Sequence, residues 1–183
     1  MINLTIARRY AKALLTIGKE DGRYKEYGEE LNGFAYLLER EAELKNAISN
    51  PMYPGDNRKN VLHKILEMTN LSPIVTNFLN LLFDKQRIDG VLEIAQVYSQ
   101  LVDKLENISR AKVKTAFPLD DETVNRIRQS LEQITGGTVV MDVAEDKSIL
   151  GGIVAQVGDL ILDGSVRTQL QSLRETLIRG EVG

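Results

Sequence analysis

From residue 2 to about residue 105, apolar side chains recur every three or four positions, and no stretch alternates convincingly between apolar and polar residues. This spacing is typical of helices that bury one face. Proline and glycine residues divide the stretch into segments joined by short loops, which predicts a compact bundle of six helices. The predicted helices are a first from Ile2, a second at about 24–40, a short third at about 44–48, a fourth capped by Asp56, a fifth with Ser72 as its cap and Pro73 in its first turn, and a sixth at about 89–105.

After residue 106 the pattern changes. Four segments have the alternation or the β-branched composition of strands, namely 111–117, 138–143, 153–157 and 160–162. The last two are joined by Gly158-Asp159, a two-residue hairpin turn in which glycine takes the positive φ. Two helices complete this part, one capped by Asp120 and one capped by Ser165. The predicted fold class is therefore α+β, with a six-helix bundle in residues 1–105 and a small α+β domain in residues 106–183.

The helices differ in how far round each one the apolar residues extend. At about 100° per residue, the apolar arc covers about 80° on the helix after Asp120 and about 60° on the last helix, so each is expected to complete the core of its own domain. The first and the fifth helix carry arcs of about 220° and about 200°, which is more than one core face requires. Two interpretations stay open. Either these are the central helices of the bundle, or part of the excess forms an exposed groove for a partner helix.

Composition places the chain among ordinary globular proteins. Of its 183 residues, 43% are hydrophobic and 27% are charged, and the formal net charge is -3, which gives no electrostatic reason to expect nucleic-acid binding. No apolar run reaches the roughly 18 to 20 residues that span a bilayer. The N-terminus also lacks the layout of a secretory signal. We therefore expect a cytoplasmic protein that does not cross a membrane.

The sequence lacks the usual motifs of catalytic and metal sites. It contains no Cys and a single His, His63, which argues against thiolate chemistry, His-paired metal sites and a Ser-His-Asp triad. No GxxxxGK[ST] phosphate loop is present, and Gly151-Gly152 does not continue into a GxGxxG motif. The sequence therefore predicts no catalytic residue, no metal site and no cofactor.

Two stretches resemble a known family. Residues 151–174, GGIVAQVGDLILDGSVRTQLQSLR, are similar to the C-terminal signature of the delta subunit of bacterial and chloroplast F-type ATP synthases, the homologue of the mitochondrial oligomycin-sensitivity subunit. Residues 6–15, IARRYAKALL, resemble the start of the same family, so the resemblance spans essentially the whole chain. It implies a non-catalytic connector, or stator, that links the alpha/beta catalytic head to the peripheral b stalk and resists rotational torque during proton-driven ATP synthesis. It also implies a place at the cytoplasmic face of the energy-coupling membrane, peripheral and held there through partners.

The resemblance implies a binding surface on the N-terminal domain. In the family, the first and fifth helices bind the N-terminal helix of an alpha subunit. The residues that we expect to face this partner are Ile6, Tyr10 and Ala13 on the first helix, and Ile74, Phe78 and Leu81 on the fifth.

A second surface is implied on the C-terminal domain, which meets the b subunits of the stalk in the family. Arg167 and Arg174 lie seven residues apart, and so on one edge of the last helix beside its leucine stripe. They are candidates for this contact, the alternative being a solvated edge. Other F1 subunits would be reached only indirectly. The alternative function for the whole chain is a regulatory or nucleic-acid-binding module, since small helical bundles also serve those roles.

Overall fold

The computed structural model describes residues 3–179, with the backbone alone for Ile178 and Arg179. The chain forms two compact units, Met1–Leu105 and Glu106–Gly183. Ile2, which the apolar pattern assigned to the first helix, lies outside the described residues. The predicted α+β class, with a helical N-terminal part and a C-terminal part that contains a sheet, is confirmed.

Six α-helices follow one another within residues 3–105. They are α1 (Leu4–Glu20), α2 (Tyr24–Arg40), α3 (Ala42–Ser49), α4 (Gly55–Met68), α5 (Pro73–Asp84) and α6 (Val91–Leu105), with a 3-10 turn at Ile88–Gly90 before α6. The Ser72 hydroxyl accepts a hydrogen bond from the Val75 N–H at 3.4 Å, and Pro73 lies in the first turn of α5. The roles predicted for Ser72 and Pro73 are therefore confirmed.

α3, α4 and α6 begin elsewhere than the sequence pattern predicted, and α3 starts at Ala42 instead of about residue 44. α4 begins at Gly55 with Pro54 at the N-cap position, so the prediction that Asp56 caps this helix is wrong. Asp56 lies in the first turn instead, where its charge complements the helix dipole. α6 begins at Val91 and not at residue 89, because the three residues before it form the tighter 3-10 turn.

α1 is fixed firmly on the bundle. It packs against α6 and α2, and a Cβ at Gly18 would lie 2.8 Å from Cα of Tyr24, so α1 meets the start of α2 with no room for a side chain. The Tyr27 hydroxyl donates a hydrogen bond to the Asp21 carboxylate and ties down the connection between the two helices. The outer edge of α1 is therefore held in a defined position.

In the described part of the C-terminal unit, four strands form one sheet in the order β2-β1-β3-β4. The strands are β1 (Ile108–Thr115), β2 (Thr138–Glu145), β3 (Ile153–Val157) and β4 (Leu160–Asp163), and the helices are α7 (Asp121–Thr135) and α8 (Val166–Arg179). β1 and β2 are parallel with α7 between them in sequence, whereas β3 is antiparallel to both β1 and β4. Asp120 caps α7 by accepting from the Thr123 N–H at 2.9 Å, and Gly158 has a φ of 58° in the hairpin turn, both as predicted.

β1 lies earlier in the chain than the alternating stretch predicted. Its parallel pairing with β2 begins at Ile108 opposite Thr138, and this pairing brings three residues before Ala111 into the strand. β1 ends at Thr115, whose hydroxyl donates to the carbonyl of Phe117 at 2.5 Å as the chain turns towards Pro118. The shift arises from long-range pairing, which the local alternation does not report.

The prediction that the last helix completes its own core is wrong. The buried cluster of the C-terminal unit consists of Ala111, Val113, Leu131, Val139 and Ala155, and it includes no described residue of α8. The apolar stripe of α8 is instead between 40% and 59% exposed. Its members are Val166, Leu170, Leu173 and Leu177. The unit therefore leaves uncovered an apolar face that its own fold does not use.

Candidate partner-binding surfaces

Apolar residues of α1 and α5 lie on both sides of an aromatic contact between the two helices. The helices touch through Tyr10 and Phe78, whose ring centroids lie 6.3 Å apart with the rings inclined by 72°. This edge-to-face arrangement is a favoured geometry for aromatic pairs. It brings together one residue from each of the two helix flanks that the sequence predicted. The set that we call the α1–α5 strip consists of Ile6, Tyr10, Ala13, Ile17, Ile74, Phe78 and Leu81.

On α1, the strip runs beside the buried row of the helix, which consists of Ala7, Ala11, Leu14 and Gly18. Ile6 and Tyr10 are half-buried, Ala13 is exposed, and Ile17 is 42% exposed. The small side chain of Ala13 leaves room above α1 for the backbone of another helix. One edge of the broad apolar arc is therefore open, and α1 is not covered on most sides as a central helix would be.

On α5, the residues of the strip differ in how deeply they are buried. Phe78 is 8% exposed and belongs to the core of the bundle, so it forms the floor of the strip and not an outward contact. Ile74 is half-buried and packs against the same core, whereas Leu81 is 45% exposed. An apolar floor with exposed apolar edges suits the apolar face of an amphipathic helix.

Arg167 and Arg174 lie on the same edge of α8. Together with Leu170, Gln171 and Glu175 they line one depression along this helix. The two guanidinium groups therefore stand next to the exposed leucine stripe and not on a purely polar face. An apolar stripe with arginines at its edge offers both buried area and directed hydrogen bonds to a partner.

Hydrogen bonds fix the start of α8. The Asp163 carboxylate accepts from the Ser165 N–H and from the Thr168 hydroxyl, both at 2.9 Å, and the Ser165 hydroxyl accepts from the Thr168 N–H at 3.3 Å. The Val166 N–H donates to the carbonyl of Gly151 at 2.9 Å. The Ser165 N–H, followed by the Ser165 and Thr168 hydroxyls, holds the pKa of Asp163 below its ordinary value. Ser165 thus caps α8 as predicted. These hydrogen bonds fix the direction of α8 and therefore the position of its leucine stripe.

Sequence reasoning missed one apolar surface on the C-terminal unit. A cleft of about 370 Å³ lies between α7 and the strands β3 and β4, with Leu131 and Ala155 buried in it and Ile134 56% exposed at its edge. The apolar residues of α7 were expected to be used up by the core of this unit. The small residues Ala155 and Gly164 on the sheet side leave the space open, and this depends on pairings that the helical pattern does not reveal.

Neither a metal site nor a membrane span is apparent in the described chain. Among residues 3–179, no three His, Asp or Glu side chains are grouped so that they could hold a metal ion. Over the same residues, no helix combines the length and the apolar character needed to cross a lipid bilayer. The surfaces that the fold leaves unused are apolar, which is the character of protein-binding sites.

Comparison with known proteins gives a consistent result. Residues 6–177 match the family model described as ATP synthase delta (OSCP) subunit. The chain is similar to the ATP synthase subunit delta of Desulfosudis oleivorans, with 49% identity over 181 residues and 99% of each chain covered, and to that of Syntrophobacter fumaroxidans, with 43% identity over 183 residues and 100% of each covered. Its fold is similar to that of a chain in the cryo-EM structure of the Toxoplasma gondii mitochondrial ATP synthase hexamer. That match has a TM-score of 0.67 and 20% sequence identity, over 94% of this chain and 97% of that chain.

Proposed function

Because this chain belongs to the ATP synthase delta (OSCP) subunit family, we propose that its two compact units hold two different parts of an F-type ATP synthase. The chain is a component of the peripheral stalk, or stator, and a structural subunit rather than a catalytic one. Family membership decides against the regulatory or nucleic-acid-binding module. In the proposed arrangement, Met1–Leu105 binds the catalytic head and Glu106–Gly183 binds the rest of the stalk.

The partner of the N-terminal unit is the N-terminal helix of an alpha subunit, which lies along the α1–α5 strip. The observation that carries this proposal is the open apolar edge formed by Ala13, Ile17 and Leu81 beside the Tyr10–Phe78 contact. The core of the bundle is complete without these edges. These exposed side chains therefore contribute little to the stability of the unit. Burying them under an amphipathic helix would stabilise a complex.

An Ala13→Asp substitution tests this proposal. We expect it to abolish binding of an alpha N-terminal peptide, because a charged carboxylate would have to be buried against the apolar face of the peptide helix. The thermal unfolding of the free protein should barely change, since Ala13 is exposed. The matched control is Ala42→Asp, the same change at an exposed alanine in the first turn of α3, which should leave binding intact. Undiminished binding by Ala13→Asp would refute the strip as the site.

The partner of the C-terminal unit is the b stalk. The exposed leucine stripe of α8 supports this assignment. Ser165 caps the helix, and Arg167 and Arg174 lie beside the stripe, so a partner helix would cover the leucines and contact the arginines. The cleft between α7 and the sheet is a second apolar surface of the same unit.

The two attachments give the protein a mechanical role. Rotation of the central shaft applies torque to the catalytic head, and a connector bound both to the head and to the b stalk keeps the head from turning with the shaft. The subunit lies at the cytoplasmic face of the energy-coupling membrane and is held there through its partners. It meets other F1 subunits only indirectly and binds no nucleic acid.

A further inference from the structure

Charge is unevenly distributed along the α1–α5 strip. α1 carries four basic residues and one acidic residue, Glu20, although the whole chain has a formal net charge of -3. The basic residues are Arg8, Arg9, Lys12 and Lys19. α5, in contrast, has no charged residue from Pro73 to Phe83. α1 is therefore a basic helix, whereas α5 is uncharged from Pro73 to Phe83.

Arg9 and Lys12 are the basic residues nearest the open side of the strip. On a helical wheel, Arg9 lies about 60° and Lys12 about 120° from Ile6, on the side away from the buried row. Arg8 lies about 160° from Ile6, on the same side as Lys12 but farther from the strip. Arg9 and Lys12 are exposed, and neither forms an ion pair within the described chain. Long side chains in such positions cover an apolar edge with their stems and extend their charge towards whatever lies on it.

Few acidic groups oppose this positive edge. Glu20 is the last residue of α1, and Asp84, the last residue of α5, is already paired with Lys59 at 2.9 Å. A helix lying on the strip would thus meet Arg9 and Lys12, which form no ion pair in the described chain, and neutral side chains from Pro73 to Phe83.

We propose that the α1–α5 strip selects an amphipathic helix with one acidic edge, and that Arg9 and Lys12 recognise this edge. The inference rests on the proposed function, because it describes the partner of the same strip. It also fixes which way the partner faces, since its acidic edge must lie along α1. Exposed ion pairs contribute little affinity individually, so the charges act mainly on specificity and on the rate of association.

Two synthetic peptides test the inference. Both carry the same apolar helical face, and they differ only in having glutamates or lysines along one edge of it. We expect the full chain to bind the glutamate peptide about tenfold more tightly at low salt, because several weak ion pairs together contribute about 1.4 kcal/mol. The difference should largely disappear at about 1 M salt, where the screening length falls to about 3 Å.

Variants of the full chain locate the effect. Arg9→Gln with Lys12→Gln should remove the preference, and Arg9→Glu with Lys12→Glu should reverse it, with unfolding temperatures close to that of the unmodified protein. Arg8→Glu, the same charge change at the basic residue of α1 farthest from the strip, should keep the preference. Ala13→Asp should abolish binding of both peptides, which would show that they occupy the strip.

The outcomes distinguish the acidic-edge inference from the proposal that the α1–α5 strip binds a helix. Equal binding of the two peptides, or a preference that survives the Arg9 and Lys12 substitutions, would overturn the acidic-edge inference and leave the strip as a helix-binding site. If neither peptide nor an alpha N-terminal peptide binds, the strip itself is not the site and both proposals fail.

Discussion

The two units of this chain differ in how completely they bury their own apolar residues. Among the described residues, the bundle in Met1–Leu105 encloses a cluster of 24 buried apolar side chains, whereas the cluster in Glu106–Gly183 contains five. The core of the bundle is complete, and the α1–α5 strip is an exposed apolar surface beside that core. The C-terminal unit leaves the α8 stripe and the α7 cleft uncovered, so a partner would complete its core. On the proposed assignment, the surface of the bundle is apolar area beyond what its core needs, and the surfaces of the C-terminal unit are apolar area that its small core leaves exposed.

The largest expected effect comes from removing one buried leucine from each unit. Leu131→Ala and Leu31→Ala should each cost about 2–5 kcal/mol, since both side chains are buried. In the C-terminal unit this loss removes one of the five side chains of the buried apolar cluster, so the unit should unfold while the bundle persists. Leu31→Ala should lower the unfolding temperature of the bundle without unfolding it at room temperature. NMR amide spectra would distinguish the units, and a single transition of the whole chain in the Leu131→Ala variant would contradict the comparison.

A charge in the leucine stripe should affect binding but not folding. Leu173→Asp should weaken binding to the b subunits by about 30-fold, the effect of losing roughly 2 kcal/mol at an interface hot spot. The free protein should unfold at nearly the same temperature, because Leu173 is largely exposed. Ser172→Asp, the same introduced charge on the adjacent polar side of α8, is the matched control for calorimetric titration. Equal losses in the two variants would argue against the stripe as the contact.

The weakest effect that we predict is a loss of stability of the C-terminal unit at low pH. Asp120, Asp146 and Asp163 each fix a turn or a helix start in the C-terminal unit, and hydrogen bonds hold the pKa of each carboxyl below its ordinary value. For Asp146, the Ser148 hydroxyl, followed by Lys114, lowers the pKa to about 2. A carboxyl with a lowered folded pKa stabilises the fold above its unfolded value of 3.8, and this contribution is lost as pH falls through the folded pKa.

An NMR titration from pH 6 to pH 2 would follow this loss. We expect amide signals at the starts of α7 and α8 and around Asp146 to change as pH falls from about 4 to about 2, and in the bundle only those near Asp21 and Glu26, whose pKa values are also lowered. Asp146→Asn should remove the change around residue 146 alone. Simultaneous loss of signals from both units would show that they do not differ in acid stability.

Much of the fold could be predicted from sequence because local signals decide it. Ser72-Pro73, Asp120 and Gly158 act through their own backbones, so their effects are readable in the chain. The start of β1 depends on pairing with β2 some thirty residues away, and alternation alone placed it three residues late. α4 begins at Gly55, before the position expected from Asp56, and Pro54 at its N-cap makes no side-chain hydrogen bond that a sequence pattern could indicate.

The candidate sites were harder to predict, since a helical wheel gives the width of an apolar arc but not what covers it. It identified α1 and α5 as too apolar for one core face, and their exposed edges agree with that. It could not show that Phe78 is a floor residue and Leu81 an edge residue. On α8 the narrow arc led to the wrong expectation, because a narrow stripe fits a core and a partner equally well.

Photo-crosslinking in the assembled ATP synthase would identify the partner of each unit. A photoreactive amino acid would replace Ala13 in one preparation and Leu173 in another, and the crosslinked subunits would be identified by mass spectrometry. We predict that position 13 captures the N-terminal segment of an alpha subunit and position 173 captures a b subunit. Capture of the same subunit from both positions, or the reverse assignment, would contradict the account of one chain that holds the head with its bundle and the stalk with its C-terminal unit.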